Sequence, residues 1–120
     1  MSLDVYLNRK VHLSYDEGKT YIEQDEEVYW ANITHNLGKM AIEAGIYEAL
    51  WRPEEIGKTK ACEIVELLEN GLAKLKANPE HFEKFNASNG WGLYKHFVPS
   101  VEKYLEACKE YPESIIHVSR

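Results

Sequence analysis

Polar side chains gather in residues 32–36, where a β-prone run gives way to a helical pattern. Asn32, Thr34, His35 and Asn36 all lie in this segment. The free N–H groups of a helix start hold anions favourably, so these side chains predict one wall of an anion-binding site. In the alternative interpretation, Thr34 and Asn36 only cap the helix, and His35 takes no part in binding.

A lone arginine follows in a setting that can also bind anions. Arg52 lies between Trp51 and Pro53. A guanidinium held beside an aromatic ring and a rigid turn can pair with a phosphate or a carboxylate, which makes Arg52 the predicted anion clamp. A local ion pair with Glu54 or Glu55 is the simpler alternative.

The third candidate segment is the loop of residues 89–94, in which two glycines flank Trp91. Asn89, Trp91 and Tyr94 could close over a nucleotide-like ligand, because flat aromatic faces stack on bases and glycine lets a backbone approach closely. Alternatively, Trp91 fills part of the core and the glycines only form the turn. The three segments together predict a protein that binds a small anionic, nucleotide-like ligand and carries no cofactor.

Two other functions stay open. A protein with a net charge of −6 could block a basic surface of a host protein. His12-Leu13-Ser14 and His117-Val118-Ser119 each match the His-x-Ser pattern of two-histidine phosphoesterases, whose imidazoles act as general acid and base. The sequence has no zinc-ligand spacing, no phosphate-binding glycine loop and no Gly-x-Ser-x-Gly motif, so an enzyme is the less favoured interpretation.

Composition restricts the class of protein. A chain of 120 residues, 44% of them apolar, fits one globular domain spanning residues 1–120. The 20 acidic residues outnumber the 14 basic ones, which argues against a nucleic-acid partner. The sequence has neither an apolar run that could cross a membrane nor a signal-peptide pattern, so we expect a cytoplasmic protein with no membrane partner. We expect Cys62 and Cys108 to be buried free thiols, since both lie on apolar stripes of predicted helices.

Apolar periodicity predicts an α+β fold, with a small antiparallel or mixed sheet covered on one face by three helices. The closing strand is expected to pair with the first strand, and an uncovered face or edge of the sheet predicts a homodimer. A turn is predicted at residues 16–19. The predicted strands cover residues 3–7, 11–15, 20–23, 28–31 and 115–119.

The three helices are predicted from apolar residues at helical spacing. The first covers residues 37–51, with Gly45 as a break. The second begins after Thr59, ends at Asn78-Pro79 and is followed by a further short turn. The third begins after the 86–90 loop, and Pro99 is expected to kink or restart it.

Residues 33–37, 50–57 and 89–94 resemble a family of small proteins found in bacteriophages and bacterial genomes. The resemblance spans roughly residues 1–111. It implies host takeover or counter-defence by binding, and it carries no catalytic residue over to this chain. Against the family's pattern, residues 8–26 look like an insertion.

Overall fold

The computed structural model describes residues 1–14, 16–18 and 20–120, and its sheet is built on one long β-hairpin. Strands β1 (Ser2–Ser14), β2 (Tyr21–Thr34) and β3 (Ile115–Ser119) lie in the order β2-β1-β3, with both pairings antiparallel. The α+β fold is therefore confirmed. So is the pairing of the chain's two ends, because Val5 lies opposite Val118.

The strands are longer than the sequence pattern predicted. Residues 3–7 and 11–14 belong to the one strand β1, and residues 21–23 and 28–31 belong to β2. The polar residues between them stay in the ladder because they pair across it: Arg9 Nε lies 3.0 Å from Glu26 Oε2. The predicted turn contains Gly18 at φ +88°, whereas its Lys19 and the preceding Tyr15 lie outside the described residues.

The described residues form five α-helices, where three were predicted. The first predicted helix is divided at Gly45, whose left-handed φ of +78° ends it as expected. The third runs through Pro99 without restarting. Short 3₁₀ helices cover His35–Leu37, Pro53–Ile56 and Ala61–Ile64. The α-helices are α1 (Gly38–Ala44), α2 (Tyr47–Trp51), α3 (Val65–Ala77), α4 (Pro79–Glu83) and α5 (Tyr94–Glu110).

The helices cover one face of the sheet. Leu3, Val5 and Leu7 alternate along β1 and are fully buried beneath them. On the opposite face Trp30 stays 53% exposed, although it lies directly across from Tyr6. The buried apolar side chains form one cluster between the sheet and the helices.

The hairpin extends well beyond this core. We call residues 9–26 the arm; none of its described residues is buried. A β-bulge between Leu7 and Asn8 marks where the ribbon leaves the three-stranded region. The molecule measures 59 × 27 × 24 Å, an elongated shape to which the arm contributes.

One expectation about the cysteines is wrong. Cys108 is buried as predicted, but Cys62 is exposed. The reason is local: Ala61–Ile64 form a 3₁₀ helix, in which residues three apart share a face, so Ala61 and Ile64 turn inward and Cys62 turns out. Within the described ranges, no helix combines the length and apolar character that a membrane crossing requires.

The Trp91 cleft and the groove beyond it

A cleft of about 380 Å³ opens between the end of β2 and the start of α5. We call it the Trp91 cleft. It brings together three of the predicted binding residues, Asn32, Thr34 and Trp91. The other residues around it come from the same strand end, the glycine loop and the first turns of α5: Ile33, Leu37, Gly90, Gly92, Leu93, His96 and Ser100.

The loop that carries Trp91 is held by its backbone. Gly92 adopts φ +116°, and a Cβ there would lie 2.9 Å from the Cβ of Asn36, so only glycine permits this approach. Asn36 Nδ2 then donates to the carbonyl of Trp91 at 2.7 Å, and Asn89 Oδ1 accepts from its N–H at 2.9 Å. The indole itself is 73% exposed, so the interpretation that it fills the core is wrong.

The strand end contributes one cap and one polar side chain. Thr34 Oγ1 accepts from the N–H of Asn36 at 3.3 Å, which confirms its capping role. The helix that Thr34 caps is a 3₁₀ helix of three residues, too short for aligned peptide dipoles to attract an anion. Asn32 Nδ2 donates to Ser2 Oγ at 2.8 Å and to Asp4 Oδ1 at 2.9 Å, which fixes its amide at the rim.

His35 supports the core instead of lining the cleft. Its Nδ1 accepts from Trp51 Nε1 at 2.8 Å, and Trp51 is only 2% exposed. The Trp51 ring also stacks on Tyr47, with centroids 5.2 Å apart. His35 therefore satisfies a buried N–H, which agrees with the alternative interpretation that it takes no part in binding.

Arg52 and Tyr94 also lie outside the cleft. Arg52 Nη1 is 2.9 Å from Glu55 Oε2, and hydrogen bonds to Tyr47 and Glu55 raise the pKa of its guanidinium. The structure therefore shows the local ion pair with Glu55 and not an anion clamp at the cleft. Tyr94 donates its hydroxyl to the carbonyl of Leu75 at 2.6 Å. Both side chains are engaged in structural contacts and do not line the cleft with Trp91.

His96 and Ser100 are the cleft residues that the sequence analysis missed. They lie one helical turn apart on α5, and Ser100 Oγ donates to the carbonyl of His96 at 3.0 Å. Their i, i+4 spacing beside the apolar stripe was the available signal. In the part of the chain that the structure describes, the cleft is lined by no lysine or arginine.

A second cleft, of about 460 Å³, lies further along the same strand and helix, between Val28 and Tyr29 of β2 and the later turns of α5. The two clefts share no lining residue, but both have β2 on one side and α5 on the other. We call them together the β2–α5 groove. The α5 residues along the second cleft are mainly acidic: Glu102, Lys103, Glu106, Ala107 and Glu110, followed by Tyr111.

The two histidines of the phosphoesterase hypothesis lie apart. His117 pairs with Tyr6, whereas His12 lies six residues further along β1, about 20 Å away at roughly 3.3 Å per residue. His12 stacks instead on Tyr21 in the arm, with centroids 5.0 Å apart. One phosphodiester cannot contact both imidazoles at that separation, so the arrangement of the two histidines argues against a phosphoesterase site.

Over the ranges described, no three His, Cys, Asp or Glu side chains come close enough together to hold a metal ion.

Comparison with known proteins adds no relative. The resemblance to phage and bacterial proteins, and the counter-defence role it implies, therefore stay predictions. No protein-family model, curated protein or solved structure matches this chain.

Proposed function

We propose that this chain is a binding protein whose ligand places a flat group against Trp91 in the Trp91 cleft. One observation carries the proposal: an indole that is 73% exposed stands on a backbone fixed by two side-chain hydrogen bonds. A large aromatic ring that is exposed on a fixed backbone presents its faces to a ligand, and only its two side-chain torsions remain to be ordered on binding.

The surroundings of the indole favour a polar, uncharged group. Asn32, Thr34 and Ser100 supply amide and hydroxyl groups, while Leu37 and Leu93 supply apolar walls. A flat group with both donors and acceptors fits this combination, as a nucleobase or a peptide amide does. The cleft therefore favours a nucleotide-like ligand that binds through its base. It offers less to an anionic group, because Arg52 is paired with Glu55.

A thermal-shift and tryptophan-fluorescence screen tests the proposal. The panel holds nucleosides, nucleotides, cyclic dinucleotides and N-acetyl amino-acid amides. At a hundred times its dissociation constant, a ligand should add about 2.7 kcal/mol to the stability of the folded protein. We expect at least one compound class to shift the wild-type melting temperature and to leave Trp91→Ala unshifted.

The matched control is Tyr21→Ala, which removes another exposed aromatic side chain, 59% exposed, from the arm and away from the cleft. It should bind as the wild type does. If the same ligands shift Trp91→Ala and the wild type equally, the Trp91 cleft is not the binding site and the proposal fails.

A further inference from the structure

The β2–α5 groove has the geometry of a strand-acceptor site. We infer that it binds an extended, lysine- or arginine-bearing peptide segment of a partner protein, which adds to the free edge of β2. The inference rests on the proposed function, since the Trp91 cleft forms one end of the groove and would take a flat side chain or terminal amide of the same segment. Strand addition beside a helix is an established way for proteins to bind peptides.

The first support is the unoccupied edge of β2. In the order β2-β1-β3, β2 has one neighbour, β1. Among the residues described, no hydrogen bond joins the backbone of residues 28–34 to any element other than β1. The outward-facing N–H and C=O groups of this stretch are therefore available to an added strand.

The second support is how charge is distributed along that edge. Residues 23–27 carry four acidic side chains, whereas residues 28–34 carry no charged side chain at all. Charged residues on an edge strand discourage the addition of further strands. The arm's half of β2 is thus protected, and the half that faces α5 is not. The unprotected half coincides with the groove.

The third support is the acidic flank of α5. Glu102, Glu106 and Glu110 follow one another at i, i+4 spacing, an arrangement in which like charges repel. Glu102 has Lys76 at 3.6 Å, but within the described residues Glu106 and Glu110 have no ion-pair partner. Cationic side chains on a peptide in the groove would offset this repulsion, so charge complementarity selects a basic segment.

The dimensions of the two walls agree. Residues 28–34 span about 23 Å at roughly 3.3 Å per residue, and the 17 residues of α5 span about 25 Å at roughly 1.5 Å per residue. An extended peptide of about seven residues would therefore contact both walls along its whole length.

The probe for the test is a fluorescein-labelled peptide of four Thr-Lys repeats, whose binding to the full chain is followed by fluorescence anisotropy. We expect it to bind, and a Thr-Glu peptide of the same length not to bind. Two further peptides carry N-methyl groups on alternate residues, in the two opposite phases. Because an added strand uses alternate N–H groups on one side, one phase should abolish binding and the other should retain it.

The variant Glu106→Gln/Glu110→Gln should weaken binding of the Thr-Lys peptide by about tenfold. The control Glu66→Gln/Glu69→Gln makes the same change in charge on exposed positions of α3 and should leave binding unchanged. Equal binding of both N-methylated peptides would overturn the inference, since that result means charge attraction without strand addition. Absence of binding by the Thr-Lys peptide would overturn it as well.

The two proposals can fail separately. If the peptides do not bind but a small molecule shifts the wild type and not Trp91→Ala, the groove inference falls and the proposed function stands. If peptide binding follows the predicted N-methyl and glutamate dependence but no small molecule distinguishes the wild type from Trp91→Ala, the groove stands and the proposed function of the Trp91 cleft fails.

Discussion

His35 provides the sharpest test of the structure, because the sequence predicted a ligand contact and the structure predicts a stabilising one. Its Nδ1 accepts the indole N–H of Trp51 at 2.8 Å, and Trp51 is 2% exposed. Replacing His35 with leucine removes the acceptor and leaves that N–H buried without a partner. Replacing it with asparagine keeps a carbonyl oxygen close to the position of Nδ1.

The size of the effect follows from the burial of the indole. A buried donor that loses its acceptor costs about 1–3 kcal/mol. Unfolding entropy near 2.1 cal/mol/K per residue gives a 120-residue chain about 0.25 kcal/mol/K, so each kcal/mol lowers the melting temperature by about 4 °C. We therefore expect His35→Leu to lose about 4–12 °C. His35→Asn should recover at least half of that loss.

The assay is thermal unfolding followed by circular dichroism, with a double-mutant cycle that adds Trp51→Phe to each variant. Once the indole N–H is gone, His35→Leu and His35→Asn should differ little, since neither has a donor to satisfy. If His35→Leu and His35→Asn are equally stable in the presence of Trp51, the hydrogen bond contributes nothing and the structural role assigned to His35 is wrong.

Four further predictions concern packing, the cysteines and the arm. Gly71→Ala should destabilise the protein by about 1–3 kcal/mol in urea unfolding, despite alanine's better helix propensity, because the new Cβ would collide with Ile46 Cγ2; an unchanged midpoint would contradict this. In the native protein a thiol reagent should label exposed Cys62 and spare buried Cys108, and denaturant should release the second site. Burial raises the pKa of the Cys108 thiol from 9.0 to about 12, so the folded state keeps a proton that the unfolded chain loses. Because burial also raises the pKa of Tyr104, the test is a comparison: stability in urea unfolding should fall more steeply between pH 9 and 12 in the wild type than in Cys108→Ala, and equal slopes would refute the role of Cys108. Replacing residues 9–26 with Asn-Gly should leave the core folded, with a melting temperature within a few degrees of wild type by calorimetry, since none of the arm's described residues is buried.

Hydrophobic periodicity predicted the strands in which apolar and polar residues alternate and the helices in which apolar residues repeat at regular spacing. The pairing of the two chain ends followed from two short β-prone runs, since such runs gain most by joining one sheet. The continuity of the hairpin did not follow, because residues 8–10 are polar and resemble a loop. Their place in β1 depends on cross-strand partners such as Asp25, 2.7 Å from Lys10. Those contacts become visible only once the register is known.

The binding residues were predicted from local chemistry, and local chemistry also explains the misplacements. Arg52 has the carboxylate of Glu55 three residues away. Their i, i+3 ion pair, at 2.9 Å, engages the guanidinium, so the side chain does not line the cleft. Trp91 is different, because Gly92 beside it was a correct sign of a loop that passes close to another segment, whereas Gly90 provides only the positive φ of the turn, +78°. The sequence could not show that the other segment would be Asn36, 55 residues away along the chain.

Once the pairing of the two chain ends is known, the sequence also indicates where the β2–α5 groove lies. Once β3 pairs with β1, both sides of β1 are occupied near its start, and β2 must be an edge strand. The sequence of β2 then divides into an acidic half and an uncharged half. Charged side chains on an edge strand discourage the addition of further strands, whereas a central strand has no free edge to protect. The glutamates of α5 repeat every four residues, so they share one face of the helix, and the structure places Glu102, Glu106 and Glu110 beside the cleft at Val28 and Tyr29. Part of the protein's acidic charge therefore lies beside the uncharged half of its edge strand.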